Sequence, residues 1–278
     1  LPDILQDVVR KLQEAGIETA RLDARLLLQS VLGVTREQLL IEAGRELRSA
    51  EKQQFEALVQ RRLNREPMSQ ILGTREFWGL EFEVTKDTLA PRPDSETIIA
   101  SLLVYKPNRS QPLSMLDLGT GTGCLLLSAL SEYPQATGLG VDISEEALVV
   151  AEKNAQRLGL ENRVEFKKSY WNSKINGVWD VVISNPPYIP TEEIPQLSPE
   201  VATYEPILAL DGGGDGLDCY RAITSFLPSI LAENGIALLE VGAGQANDVA
   251  ALVSGQGLKV AQVAYDLAGI ARCIIIQK

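Results

Sequence analysis

The 278-residue chain predicts an α/β fold: a doubly wound, mostly parallel seven-stranded sheet with a small N-terminal helical bundle and a connecting β-hairpin. Three observations carry this. From residue 113 onward, short apolar runs alternate with helical ones, as in parallel strands joined by crossover helices. Before residue 67 the apolar residues recur at helical spacing. Two strand candidates end in glycine- or proline-rich loops, which suit ligand approach at the carboxyl edge of such a sheet. The expected division is a helical domain at 1–74, a hairpin linker at 75–90 and an α/β domain at 91–278.

Ile4, Leu5, Val8, Val9 and Leu12 mark one helical face. Leu22, Leu26, Leu27 and Val31 mark a second, ending at Gly33. Thr35-x-x-Gln38 has the form of a capping box for a short third helix. Ser49 is the expected cap of a fourth, with Phe55, Leu58, Val59 and Leu63 on one face and Glu66-Pro67 as its stop. Phe77-Trp78-Gly79-Leu80-Glu81-Phe82-Glu83-Val84 reads as a strand pair or hairpin. Pro91-Arg92-Pro93-Asp94-Ser95-Glu96 follows, then an apolar helix over 97–104. Strands are expected at 113–118, 137–141, 164–166, 179–183, 236–240, 258–265 and 273–276.

Hydrophobic residues make up 45% and charged residues 23% of the chain, which excludes a disordered polymer and a disulfide miniprotein. No apolar run reaches the roughly 18–20 residues that span a bilayer. Leu1-Pro2-Asp3-Ile4-Leu5-Gln6-Asp7 has neither a basic start nor a long apolar stretch, so no signal peptide is expected. Histidine is absent, which removes a Ser-His-Asp triad, a Cys-His nucleophile, histidine zinc sites and any histidine base. Cys124, Cys219 and Cys273 are too few for an all-cysteine zinc site. They read as reduced, buried residues of a cytosol-like compartment, and no metal is expected. Residues 1–76 hold 12 basic and 12 acidic side chains, so 77–278 carry the whole net charge of −11. An acidic half matches a phosphate backbone poorly and a basic protein partner better.

The first strand of the α/β half ends in Asp117-Leu118-Gly119-Thr120-Gly121-Thr122-Gly123, and Cys124 opens a helix. Glycines at a strand-to-helix turn let a ligand approach the backbone and leave helix N–H groups free. A plain tight turn is the competing reading. The next strand ends at Val141-Asp142, where a carboxylate can accept both hydroxyl hydrogen bonds of a ribose. NAD and S-adenosylmethionine both use such a site. An Asp two residues before the first glycine leans toward S-adenosylmethionine, which has no pyrophosphate to seat on the helix.

The fourth strand of that half runs into Asn185-Pro186-Pro187-Tyr188, at the edge where ligands bind. The two prolines fix φ and stiffen the loop. The Asn185 side-chain oxygen and the Pro186 carbonyl can accept both hydrogens of one planar NH2 group, and Tyr188 can form a flat wall beside it. The competing reading is a proline-rich turn. Such a cradle suits methyl transfer to an amide or amine nitrogen on an sp2 carbon, by positioning and electrostatics and without a histidine base.

These motifs resemble class I S-adenosylmethionine-dependent methyltransferases, a Rossmann-like group, with an N-P-P-Y loop. The group includes adenine-N6 DNA, guanine-N2 rRNA and protein glutamine methyltransferases. Further motifs narrow the resemblance to the HemK/PrmC family: Arg75-Glu76-Phe77-Trp78-Gly79-Leu80-Glu81-Phe82, Pro91-Arg92-Pro93-Asp94-Ser95-Glu96, Asn185-Pro186-Pro187-Tyr188-Ile189, Tyr204-Glu205-Pro206-x-x-Ala209-Leu210 and Asp266-Leu267-x-Gly269-x-x-Arg272. Their order and spacing match over almost the whole chain.

The resemblance implies methylation of N5 of the glutamine in the Gly-Gly-Gln motif of class I peptide chain release factors, with the helical domain engaging the release factor. It implies that Gly119, Thr120, Gly121, Thr122 and Gly123 contact the methionine part of S-adenosylmethionine, Asp142 its ribose and Trp171 its adenine side, with Asn185 also near the cofactor. Tyr170 stands where the family commonly has an acidic residue. Asn185, Pro186, Pro187 and Tyr188 are implied to hold the glutamine amide, with Asn185, Pro186 and Tyr188 catalytic. The 91–96 segment is implied to wall the site, although Asp94 and Glu96 equally read as helix N-terminal acids. Trp78 reads as a packing residue, and Arg272 has no assigned role. The implied setting is the bacterial cytoplasm or an organelle matrix, with no membrane and no direct nucleic-acid partner. The alternatives are another protein substrate, adenine N6 of a nucleic acid, a non-catalytic binding module and an NAD-dependent oxidoreductase.

Overall fold

The structure, a computed structural model, describes residues 1–42, 44–171 and 175–278. It forms two compact units: Leu1–Gly73 with Ser198–Tyr204, and Thr74–Leu197 with Glu205–Lys278. The first is helical, with α1 (Pro2–Glu14), α2 (Ala20–Leu32), α3 (Arg36–Ile41), α4 (Ser49–Leu63) and α5 (Met68–Leu72), joined by α9 (Pro199–Tyr204) from much later in the chain. The apolar stripes converge on a core in which Leu12, Ala24, Leu27, Leu28 and Phe55 are essentially inaccessible. Gly33 ends α2 in the left-handed region, at φ 64°. Both bonds of the Thr35–Gln38 capping box form, at 3.3 and 2.8 Å. The fourth helix is capped one residue earlier than the sequence suggests. Arg48 is the cap, and its N–H donates to Glu51 Oε2 at 2.9 Å. A cap at Ser49 would place Lys52, which has no acceptor, where Glu51 now reaches back. The five-residue α5 is too short to show a period.

Charge fastens α9 into this unit. The Arg62 guanidinium, 7% exposed, donates Nε–H to Asp23 Oδ2 at 2.7 Å and Nη1–H to Glu200 Oε1 at 3.0 Å. Arg65 Nη2 reaches the other Glu200 oxygen at 3.0 Å. The Tyr204 hydroxyl donates to the Asn64 carbonyl at 2.7 Å, and Gln70 Nε2 donates to the Tyr204 carbonyl at 2.9 Å.

The second unit opens with an antiparallel hairpin, β1 (Thr74–Phe77) and β2 (Leu80–Glu83). Its turn residues Trp78 and Gly79 both take positive φ, 54° and 71°, as a two-residue primed turn requires. Phe77 and Phe82 are buried in the core of this unit, and the Glu83 N–H donates to Asn154 Oδ1 at 2.7 Å. Then follow α6 (Glu96–Tyr105), β3 (Ser114–Leu118), α7 (Cys124–Glu132), β4 (Thr137–Asp142), α8 (Glu145–Arg157), β5 (Val164–Lys168), β6 (Trp179–Ser184), α10 (Asp218–Ile230), β7 (Leu231–Glu240), α11 (Ala246–Gly255), β8 (Lys259–Tyr265) and β9 (Ala271–Gln277).

The seven strands from β3 to β9 form one sheet in the order β5-β4-β3-β6-β7-β9-β8. The pairs from β5 through β7 are parallel, and β9 runs antiparallel to both β7 and β8. Alternation along each strand feeds two separate cores. Met115, Val181, Leu238 and Ile275 pack with α6 and α7 on one face. Leu116, Val182, Leu239 and Ile274 pack with α10 and α11 on the other. Among the described residues no helix is long and apolar enough to cross a membrane.

The Asp23–Arg62–Glu200 cluster gives a stability test. Asp23→Ala leaves a buried guanidinium with one carboxylate fewer, and is expected to destabilise the helical unit by about 3 kcal/mol in urea unfolding. A change below about 1 kcal/mol would mean that the pair behaves as an exposed one.

Candidate active site

β3 lies between β4 and β6, so the winding of the chain reverses there. This is the place where the loops leaving two neighbouring parallel strands part and leave a crevice. Here the loops after β3 and β6 both line a cavity of about 430 Å³. Gly119, Thr120, Gly121, Thr122, Asp142, Trp171, Asn185 and Pro187, all singled out from the sequence, contribute to its wall. Gly123, Pro186 and Tyr188 are not among the lining residues.

The glycine loop is held from below. Gly119 and Thr120 both donate their N–H groups to the Val141 carbonyl at 2.9 Å. The Thr120 hydroxyl donates to Asp117 Oδ2 at 2.7 Å. Asp117 is 1% exposed, and among the described residues its Oδ1 has no hydrogen-bond partner. Burial raises its carboxyl to about 7, against the lowering effect of the Thr120 bond. Gly119 has φ 74°, and a Cβ there would sit 3.8 Å from the Trp171 ring. The indole therefore lies over the loop. Gly123, at φ 78°, serves packing: its Cβ would come within 3.1 Å of Leu127 and 3.3 Å of Ala151. Gly140 on β4 leaves room for the loop, since a Cβ there would meet Phe166 at 2.6 Å and the Thr120 hydroxyl at 2.9 Å.

Asp142 sits at the end of β4. Its Oδ2 accepts from the Gly121 N–H at 2.9 Å and its Oδ1 from the Ser144 N–H at 3.0 Å. Burial raises its pKa, while these bonds oppose the rise. Each oxygen keeps a lone pair for a hydroxyl donor. A positive-φ glycine under an indole, beside a carboxylate fixed by backbone N–H groups, fits a nucleoside-bearing cofactor: a flat wall, close backbone approach and a ribose acceptor. Cys124 also lines the cavity, but burial pushes its thiol up to about 12 and keeps it protonated.

In the loop after β6, Asn185 Nδ2 donates to Ser95 Oγ at 3.3 Å. Among the described residues nothing donates to Asn185 Oδ1 or to the Pro186 carbonyl. Tyr188 turns away from the cavity into the core beside α10 and α11, and its hydroxyl donates to Glu240 Oε1 at 3.4 Å. Burial first, and then the Glu240 charge, push its phenol up. The 91–96 segment does wall the cavity, through Pro91, Arg92 and Ser95. Arg92 pairs with the buried Glu205 at 2.8 Å. Arg272 bridges Asp94 at 3.2 Å and Asp266 at 2.9 Å. Glu96 accepts the Trp78 N–H at 2.8 Å, and Trp78 packs against the core.

Sequence reasoning did not single out Ser95 by itself, nor Glu240 or Glu205. Glu205 stood in a quoted motif without a role. Glu240 carried only the faint signal of a charge at the end of an apolar strand.

Comparison with known proteins places these features in a family. Residues 3–73 match the family described as PrmC N-terminal domain, and residues 110–227 match a methyltransferase domain. The chain is 45% identical over 269 residues to a release factor glutamine methyltransferase of Rhodospirillum rubrum, covering 96% of this chain and 82% of that protein. It is 43% identical over 271 residues to one of Bradyrhizobium diazoefficiens, covering 96% and 91%. Among solved structures, a methyltransferase from Pyrococcus furiosus aligns with a TM-score of 0.52 at 18% identity, covering 71% of this chain and 88% of that one. That likeness concerns the fold alone.

The Asp117 carboxyl has a pH signature. Its pKa is raised on folding, so its contribution is fully present below about pH 4 and is lost as pH rises through about 7. Urea unfolding of Asp117→Asn, in which the Thr120 bond is retained, is expected to show a smaller loss of stability from pH 5 to pH 8 than the parent. An unchanged loss would remove Asp117 from the account.

Proposed function

Since this chain belongs to the release factor glutamine methyltransferase family, we propose that it methylates N5 of the glutamine in the Gly-Gly-Gln motif of class I peptide chain release factors, using S-adenosylmethionine. The observation that carries the reading at the site is Asn185. It lines the cavity beside the glycine loop, with its NH2 group engaged by Ser95 and its oxygen available as an acceptor.

An amide nitrogen is a poor nucleophile because its lone pair is shared with the carbonyl. Asn185 Oδ1 and the Pro186 carbonyl accept the two hydrogens of the substrate NH2, which polarises the nitrogen and fixes its orientation. Pro186 and Pro187 keep those acceptors in place with little reorganisation. S-adenosylmethionine, when bound, supplies an electrophilic methyl on a sulfonium. Gly119 and Gly121 would allow its close approach, Asp142 would accept the ribose hydroxyls and Trp171 would cover the adenine side. Forming the N–C bond and breaking the S–C bond leaves one surplus amide proton, which passes to water. Holding both reactants in line contributes on the order of 7–11 kcal/mol.

The helical unit engages the release factor in this reading, supported by the match of residues 3–73. The acidic 77–278 half favours a protein over a nucleic acid as acceptor, and we place the reaction in the bacterial cytoplasm.

The test is transfer of labelled methyl from S-adenosylmethionine to a purified class I release factor, with a Gly-Gly-Ala variant alongside. Label on the first and not the second is expected. Label on neither, with cofactor still bound, would redirect the search to another protein or a nucleic acid. Asn185→Ala is expected to lower kcat at least about 100-fold while cofactor Kd stays within about 3-fold. Asp142→Ala is expected to do the converse, raising cofactor Kd about 10- to 100-fold in calorimetry.

A further inference from the structure

We infer that Gln245, the residue that caps α11, is a positioning residue for methyl transfer: its side-chain amide fixes the N-P-P-Y loop by gripping the backbone at Tyr188. The inference rests on the function proposed above and assigns a role to a residue outside every motif quoted from the sequence.

Helix formation sets Gln245 first. Its N–H donates to the Gly242 carbonyl at 3.1 Å, and its own carbonyl accepts from the Val249 N–H at 3.0 Å. The side chain then folds back over the turn that follows β7, where Oε1 accepts from the Gly242 N–H at 3.1 Å. That donor decides which way the amide faces, because only its oxygen can accept. Nε2 is left facing the N-P-P-Y loop. It donates to the Tyr188 carbonyl at 2.9 Å and reaches the Gly216 carbonyl at 3.4 Å. Both hydrogens of the amide thus have acceptors, on two separate loops.

The space around this contact admits no side chain. A Cβ on Gly216 would come within 2.4 Å of the Tyr188 carbonyl oxygen and 2.6 Å of Gln245 Nε2. A Cβ on Gly242 would lie 2.5 Å from Gln245 Oε1 and 2.9 Å from the Tyr188 ring. One on Gly212 would lie 2.8 Å from Tyr188 Cα. Glycines at these places let the backbones close on one another with the Gln245 amide between them. The next residue is held as well. The Ile189 N–H donates to the Leu210 carbonyl at 3.0 Å, and the Gly212 N–H donates to the Ile189 carbonyl at 2.9 Å.

The loop is therefore fixed at its two ends. One end is Ser184, paired with Leu118 in the sheet, and the other is the clamp at Tyr188 and Ile189. Pro186 and Pro187, which lie between, have no N–H with which to anchor the loop from within. Among the described residues the Asn185 side chain makes one hydrogen bond, to Ser95 at 3.3 Å. The placement of the two acceptors, Asn185 Oδ1 and the Pro186 carbonyl, thus follows from the ends. A stiff segment passes a shift at one end along its length, and a misplacement of about 1 Å can cost on the order of 100-fold in rate. Gln245 does not line the cavity, so it acts through the loop and touches neither reactant.

Two variants separate the grip from the fold. Gln245→Glu is nearly isosteric: its carboxylate still accepts from the Gly242 N–H but sets a second acceptor against the Tyr188 carbonyl. Gln245→Met keeps the length and removes both bonds. The experiment measures kcat and KM on the release factor at about pH 8, and cofactor Kd by calorimetry, at a temperature where unfolding scans show each protein folded. Both variants are expected to lose kcat at least about 10-fold, with KM and cofactor Kd within about 3-fold of the parent. The side-chain NH2 signals of Asn185, followed by NMR with cofactor bound, are expected to shift or double in both variants. That readout needs no methyl acceptor. If the parent shows no transfer but the Asn185 signals move in Gln245→Glu with cofactor Kd unchanged, the clamp stands and the proposed substrate falls. If the parent transfers methyl and Gln245→Glu keeps more than about a tenth of its kcat, the inference is overturned and the function stands. A loss of kcat matched by an equal rise in cofactor Kd would mean general loosening of the α/β unit, and it overturns the inference too. So do Asn185 signals that stay in place in both variants.

Discussion

The return of β6 to lie beside β3 is the constraint on which the site depends. The chain winds outward from β3 through β4 to β5, then comes back to pair β6 with β3. The register is in step: Leu118, the last residue of β3, pairs with Ser184, the last of β6. The Ser184 hydroxyl also donates to the Leu118 carbonyl at 2.7 Å. The next residues are Gly119 on one strand and Asn185 on the other. The glycine loop and the N-P-P-Y loop thus start side by side, although 66 residues separate those paired strand ends. A one-residue slip in this pairing would reverse the faces of β6, taking Val182 out of one core and Ile183 out of the other.

Buried polar groups then aim the loops. Asp117 under Thr120, Asp142 across Gly121 and Ser144, and Ser95 behind Asn185 each fix a short segment whose outer side is the cavity wall. Such groups add little net stability by themselves, but leaving any one unpaired would be costly. The loops are therefore confined to few arrangements, which is what transition-state positioning demands.

Much of this was legible in the sequence. The seven strands were readable because apolar runs between helical segments survive any detail of packing. Gly33 and Thr35-x-x-Gln38 marked their helix boundaries because their signals are local. Other features were not local. α4 started one residue early because Glu51, and not Ser49, satisfies the free N–H. Asp23, Arg62 and Glu200 meet from three distant parts of the chain, and no spacing rule connects them. Of the N-P-P-Y loop, Asn185 and Pro187 line the cavity, while Tyr188 is anchored in the core. The motif marked a loop that lines the cavity, and only the three-dimensional neighbours decide which of its side chains face inward. Glu240 was invisible for the same reason: the Tyr188 hydroxyl that meets it lies on another segment.

The absence of histidine gains its meaning from these neighbours. A residue that captures the amide proton before attack would have to be ionisable, on the cavity wall and ready to accept. Cys124 is on the wall but held protonated by burial. Asp142 is on the wall, but both of its oxygens already accept from backbone N–H groups. Asp87 on the wall is paired with Lys86, Asp211 there accepts from Thr191 and the Gly213 N–H, and burial pushes the Cys219 thiol up to about 11, while Asp117 and Glu240, brought near neutrality by burial, do not line the cavity. In the reading proposed above, the reacting nitrogen would meet a pair of neutral acceptors, the Asn185 oxygen on the wall and the Pro186 carbonyl of the same loop, stiffened by two prolines. Neutral acceptors cannot remove the proton, but they can hold it until the nitrogen has gained its methyl group and become acidic. Water can take it then, so a site of this kind needs alignment more than it needs a base.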